Sequence, residues 1–246
     1  MLDLSGYAWV GVAGCALLVG ISKGGLPGIG VVAVPLMASL LSAKASTAVL
    51  LEFLVVGDVA AVLLYHRHAQ WRTLLRPLPW AVAGIAIGSA TMKLATDEQV
   101  RRIIGVIVLT MAGVHVANSR RARGESQVPR GRLFAAFMGL VGGFTTMVGN
   151  AAGPVMTIYL LAMRLPKEEF LGSAAWFFMI INWIKVPFQC AIGNMPLDTV
   201  RAGAVFLPAV IAGALLGYGV ATRIPERIFA RIALALAAAG GVKLLL

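Results

Sequence analysis

Ten apolar blocks fill the chain, parted by short polar or Gly/Pro-rich stretches. In the first half they are roughly Tyr7–Ile21, Pro27–Leu41, Ser46–Tyr65, Pro77–Leu94 and Val100–Ala117. In the second they are roughly Leu133–Met147, Ala151–Met163, Phe170–Ile192, Thr199–Ala221 and Ile228–Leu246. A helix needs about 20 apolar residues, with a range of roughly 17–25, to cross a bilayer. The first two blocks of each half fall short. They read as short tilted helices or as the arms of a re-entrant hairpin meeting near mid-membrane.

Two glycine-rich breaks interrupt this pattern at matching places. The first runs Ser22-Lys23-Gly24-Gly25-Leu26-Pro27-Gly28-Ile29-Gly30, and the second Thr145-Thr146-Met147-Val148-Gly149-Asn150-Ala151-Ala152-Gly153-Pro154. Backbone freed from helical pairing cannot face lipid and must be buried in protein or line a polar cavity. A matched pair of breaks, one per half, is the sequence pointer to a transporter's substrate site. Glycine permits close approach to main-chain N–H groups, and a helix starting after each break would aim its free N–H groups and positive dipole end at a ligand. Pro27 and Pro154 suit the first turns of such helices. Two facing helix N-termini would make an anion site. The plainer alternative is that the glycines only let helices pack closely.

The halves repeat. Pro79, Gly84, Gly88, Asp97 and Arg102 are matched 129 positions later by Pro208, Gly213, Gly217, Glu226 and Arg231; Gly30 and Lys44 are matched 123 positions later by Gly153 and Lys167. Spacing and chemistry thus agree over most of each half. The expected fold is an all-α integral membrane protein of two inverted repeats, each of about five segments with the first two joined at a break. The expected organisation is a single polytopic domain over 1–246, with repeat 1 at about 6–118, a basic loop at about 119–132 and repeat 2 at about 133–246.

Composition agrees. Of the 246 residues 59% are hydrophobic and 13% charged, with a mean hydropathy of +0.88; a soluble domain carries about a quarter charged residues. The net charge of +11 sits in short loops, at Arg67, Arg72 and Arg76 and at Arg120, Arg121, Arg123, Arg130 and Arg132. Basic loops mark the cytoplasmic side. An odd number of crossings per half then inverts the second half, whether three or five. No aromatic-interleaved basic patch accompanies these arginines, so nucleic acid is not an expected partner. Cys15 and Cys190 lie in apolar blocks and read as small buried thiols. The start of the chain has no basic residue before its apolar run, so the first segment is expected to be kept.

A few polar residues stand inside apolar blocks. Lys185 is flanked by Asn182 and Gln189 on one helical face. A cation within a span costs roughly 2.5–3.5 kcal/mol on insertion scales and usually faces the bundle interior; the alternative is a surface lysine snorkelling to headgroups. Glu52 and Asp58 occupy the third block, the repeat-mate of the one holding Lys185. They are proton-coupling candidates, one of them a candidate partner for Lys185, or plain structural ion-pair partners, with Asp58, after Gly57, the better placed for burial. His66 and His68 read as solvated loop residues and His115 as a packing residue. HExxH and Walker motifs are missing, so no enzyme activity is expected.

With these residues in hand, the chain resembles the sulfite exporter TauE/SafE family of bacterial membrane permeases over essentially its whole length. The second half carries the resemblance best: Gly142-Gly143 to Thr145-Thr146, Asn150 to Pro154, Tyr159-Leu160-Leu161, Leu165-Pro166-Lys167, Phe170, Ala175 to Phe178, Asn182, Lys185 and Pro187-Phe188. The first half adds the Gly20-to-Gly30 stretch, Gly57-Asp58 and the basic loop leading to Trp71. Lys23 departs from the firm pattern and reads as an added anion contact or a cytoplasmic surface charge. The resemblance implies export of small sulfur-containing anions such as sulfite, sulfoacetate or other sulfonates, driven by the proton gradient, in a bacterial inner membrane.

The resulting expectation is a secondary anion carrier with Ser22, Gly24, Gly25, Gly28, Gly30, Thr145, Thr146, Gly149, Asn150, Gly153, Asn182, Lys185 and Gln189 around the substrate. Asp58 or Glu52 would couple protons. A passive anion channel, a carrier of another small organic anion and a non-transporting membrane subunit remain alternatives. The expected partners are a small anion and the lipid bilayer, with a homo-oligomer left open; no cofactor or metal is expected.

Overall fold

The computed structural model describes residues 6–26, 29–100, 102–103, 106, 131–223 and 225. Pro27, Gly28, His115, the arginines at 120–130 and the Ile228–Leu246 block lie outside them, as does most of the Val100–Ala117 block. Among the described residues all regular structure is helical. The first half runs α1 (Gly6–Lys23), a 3-10 turn (Ile29–Val32), α2 (Ala33–Leu40), α3 (Ala43–Tyr65), a 3-10 turn (His66–His68), α4 (Trp71–Leu74) and α5 (Leu78–Leu94). The second runs α6 (Arg132–Gly149), α7 (Ala152–Ala162), α8 (Lys167–Ala191), α9 (Leu197–Ala204) and α10 (Leu207–Ala221).

Local chemistry sets the ends. Ser42 caps α3 by accepting the Ala45 N–H at 3.3 Å, which satisfies a donor the first turn leaves free. The Asp97 carboxylate accepts the N–H groups of Ala43 and Lys44 at 3.1 and 3.0 Å, and the Lys44 ammonium donates to the Ala95 carbonyl at 2.8 Å. Lys167 does the same for the Ala221 carbonyl at 2.5 Å. Helix α6 ends where Asn150 turns left-handed, at φ 52°, returning its N–H to the Thr146 carbonyl at 3.0 Å. Asparagine tolerates that conformation better than other residues with a side chain.

Helices α1, α6 and α8 are long and apolar enough to cross a membrane, as is the run 43–68. The block Thr199–Ala221, expected as one segment, is instead two helices bent by 50°. Pro208, in the first turn of α10, has no N–H to continue a helix arriving from α9. Pro79 stands likewise in the first turn of α5, after the short α4.

Helices α2 and α7, of 8 and 11 residues, rise only about 12 and 17 Å, against a hydrocarbon core of about 30 Å. Each packs back on the helix before it. Of the first two blocks of each half, α2 and α7 fall short of a span as expected, whereas α1 and α6, expected to fall short as well, are 18 residues each and long enough to cross.

Glycines bring the long helices together. A Cβ on Gly20 or Gly24 would enter the α10 backbone at Val210 or Ala214, and one on Gly213 or Gly217 would enter α1 at Leu17 or Ile21. In the same way Gly84 lies on Leu140 and Phe144 of α6, while Gly139 and Gly143 lie on Pro77 and Ala81. Close backbone approach of this kind is how helices associate where lipid supplies no hydrophobic drive. Helices α3 and α8 pack on each other between these two pairs. Outward-facing Trp80, Ile87, Phe137, Trp183 and Leu215 are half or more exposed, an apolar exterior that suits lipid.

Candidate functional site

Helices α3 and α8 bury Asp58, Asn182 and Lys185, which are at most 1% exposed. The first break brings Lys23 to them. Its stem runs over Gly57, where a side chain would collide with the lysine's Cγ, and its ammonium reaches Asp58 Oδ1 at 2.5 Å. The ammonium also lies 4.3 Å above the Phe178 ring, a second favourable seat for a cation. Lys23 is therefore no surface charge.

Asp58 Oδ2 accepts from Asn182 Nδ2 at 2.7 Å, and Asn182 Oδ1 accepts from Lys185 Nζ at 3.3 Å. Lys185 Nζ donates further to Thr146 Oγ1 at 3.1 Å and Asn150 Oδ1 at 2.5 Å. Asn150 Nδ2 in turn donates to the Thr47 carbonyl at 2.9 Å. One unbroken polar chain thus links the two breaks through α3 and α8. With both lysines protonated, its ionised groups sum to one positive charge, because Lys185 meets only neutral acceptors. A buried cation so placed stabilises an anion strongly, since little water screens it.

Beside this network lies a cavity of about 90 Å³. Ser22, Lys23 and Gly30 of the first break line it together with Thr146, Asn150 and Gly153 of the second. Asp58 and Asn182 complete the polar end, and Leu54, Phe170 and Phe178 form an apolar wall. The volume suits a few waters or one small oxyanion. Lys185 stands behind Thr146, Asn150 and Asn182 rather than on the cavity wall.

Other expected site residues lie elsewhere. Gly24 packs on α10, and its carbonyl accepts from the Tyr65 hydroxyl at 2.7 Å. Gly25, at φ 129°, sits against Tyr65 and Ala221. For these two the close-packing alternative fits. Thr145 donates its hydroxyl to the Gly142 carbonyl at 3.2 Å, and Gly149 is the last residue of α6. Gln189 donates to the Met147 carbonyl at 3.5 Å and accepts from Asn194 at 2.7 Å, beyond the cavity. Glu52 turns its carboxylate toward Gly203 on α9, also away from the cavity. Gly28 lies outside the described residues.

Sequence reading passed over Thr47, Tyr65 and Asn194. Asn194 donates to the Lys44 carbonyl at 3.0 Å and Thr47 Oγ1 at 3.2 Å as well as to Gln189. Its place just after Gly193, at the end of an apolar block, was the available signal. Cys190 is exposed, contrary to the expectation of a buried thiol, because its position turns outward from α8 while Gln189 turns inward.

A family model described as Sulfite exporter TauE/SafE matches residues 12–244. No curated protein and no solved structure matches the chain.

Proposed function

The chain belongs to the sulfite exporter TauE/SafE family, and on that premise we propose that it is a secondary carrier exporting small sulfur-containing oxyanions such as sulfite, sulfoacetate or other sulfonates. Family and apolar helices together make it a multi-pass membrane transporter; the bacterial inner membrane is the proposed location. The observation that carries the reading is the meeting of both breaks at one small cavity with Lys23 on its wall and Lys185 behind it. A pyramidal or tetrahedral oxyanion suits the hydroxyls of Ser22 and Thr146, the Asn150 amide and these two cations. Asp58 is the proposed proton carrier.

Alternating access by two inverted repeats is the proposed mechanism. Paired contacts support it: α1 packs on α10 as α6 packs on α5. Tyr65 bonds the Gly24 carbonyl as Gln189 bonds that of Met147, and Lys44 bonds Ala95 as Lys167 bonds Ala221. The cavity wall draws on the halves of α3 and α8 nearer Arg67 and Arg72, whereas Gln189, Asn194 and Thr47 close the opposite end. On the loop-charge orientation this is a cytoplasm-facing state.

Uptake of labelled sulfite into proteoliposomes tests the reading. Saturable transport, accelerated by unlabelled sulfite on the far side, is expected of a carrier; an open pore gives no such acceleration. If Lys185→Ala and Asn150→Ala both retain saturable transport, the site assignment fails.

A further inference from the structure

The polar end of the cavity already holds an anion, and it belongs to the protein. Asp58 is fully buried, lines the cavity and pairs with Lys23 at 2.5 Å. Lys23 is the cation of the network that stands on the cavity wall; Lys185, behind it, is engaged by Thr146, Asn150 and Asn182. Any oxyanion entering must therefore compete with the Asp58 carboxylate for the Lys23 ammonium. We infer that Asp58 is a tethered occupant of the anion subsite: an incoming oxyanion takes Lys23 from it, and the displaced carboxylate takes up one proton.

The exchange balances. Before it, the Asp58 carboxylate is paired with the Lys23 ammonium; afterwards the oxyanion is paired with that ammonium and Asp58 is a neutral carboxylic acid. The O–H bond formed on Asp58 is matched by one broken in hydronium or a buffer acid on the side to which the cavity opens, leaving water or the buffer base there. The site gains one anion and one proton, so its net charge does not change. A carboxylate left buried without its cation takes a proton rather than remain charged. Asn182 Nδ2 keeps its bond to Oδ2 throughout, which holds the acid in place.

Among the described residues the surroundings offer Asp58 no substitute cation. Lys23 faces it from α1 and Lys185 lies beyond Asn182 on α8. Helix α2 brings no ionisable group to α3, and α10 brings Tyr218, whose ring leans at 60° against that of Tyr65. Asp198 and Arg201 of α9 are exposed, and α9 meets α3 at Glu52. His66 and His68, next to the end of α3, are exposed as well. Proton and anion then occupy the site together or not at all and move in the same direction, so export by this exchange runs down the anion's own gradient and not on an inward proton gradient.

The inference rests on the anion-carrier reading, and the test separates the two. The full chain in detergent is titrated with methanesulfonate, which stays ionised near neutral pH, by calorimetry in buffers of different ionisation enthalpy. Sulfite serves as second probe, with its own ionisation subtracted. Close to one proton should be taken up per anion bound. Asp58→Asn should bind roughly tenfold tighter, within the range of ordinary site coupling, and take up no proton. Lys23→Met should lose binding and Lys23→Arg should keep both binding and uptake. Where Asp58→Asn fails to fold, the wild-type proton count decides alone. Binding without proton uptake, or an unchanged count in Asp58→Asn, overturns the inference and leaves the carrier reading standing. Absence of binding for both probes overturns the anion site itself.

Discussion

Asp58 on α3 and Asn182 on α8 are bonded to each other at 2.7 Å, and each stands at the same distance from the first residue of its helix. Through this one bond the ion pair of the first break joins the lysine of the second. An acid on one helix faces its own amide counterpart on the other. Two acids there would repel and two amides would leave Lys23 buried without a counter-ion, so the asymmetry of the pair has a physical basis.

Exchanging the two residues tests that asymmetry. Asn182→Asp alone places two carboxylates within hydrogen-bond distance, and one must then hold a proton or be repelled. Asn182→Asp is expected to lower the melting temperature in detergent and to cut sulfite uptake about tenfold or more, a loss of roughly 1.4 kcal/mol. Adding Asp58→Asn returns one carboxylate to the pair and should recover most of the melting temperature. A double variant no more stable than Asn182→Asp alone would show that the two sites are not coupled.

Asn150 combines a backbone and a side-chain role that substitution can separate. Its φ of 52° is costly for alanine and free for glycine. Asn150→Gly should fold close to wild type but lose transport, because Lys185 loses its 2.5 Å acceptor. Asn150→Ala should lose transport equally and be less stable than the glycine variant by about 1 kcal/mol. Chemical denaturation in detergent alongside the uptake assay checks both.

The close helix pairs predict where size is not tolerated. Gly20→Val and Gly84→Val push a branched side chain into the backbone of α10 and α6 respectively. Overpacking of this kind costs about 1–3 kcal/mol or more, and both variants should melt lower by several degrees. Gly14→Ala, with nothing within 4 Å of its added Cβ, is the matched control and should change little.

Some of the site was legible because its chemistry is expensive in an apolar chain. Lys185, Asn182 and Asp58 stand out in apolar blocks, and burial of all three follows from the helical face they occupy. Asn150 and the glycines likewise announced a turn. What spacing could not supply was the partner of each group. Asp58 was a candidate for Lys185, yet it pairs with Lys23, because Gly57 opens a path for the α1 lysine that is visible only when α1 and α3 are packed. Glu52 read as the lesser coupling candidate and Gln189 as a site residue, and both are turned elsewhere, to α9 and to Asn194.

The sequence by itself determined that the described chain is helical and apolar outside, where it breaks, and which few polar residues it buries. Those features depend on local composition and on the cost of placing polar groups in lipid, which a single strand of sequence states directly. Only the tertiary structure decided that the breaks meet at one cavity, that Gly24 and Gly25 serve packing while Gly30 and Gly153 line the cavity wall, and that α9 and α10 part at a bend. Each of those depends on which helices lie against one another, and a hydrogen bond or an ion pair between helices is set by distances that no local pattern encodes.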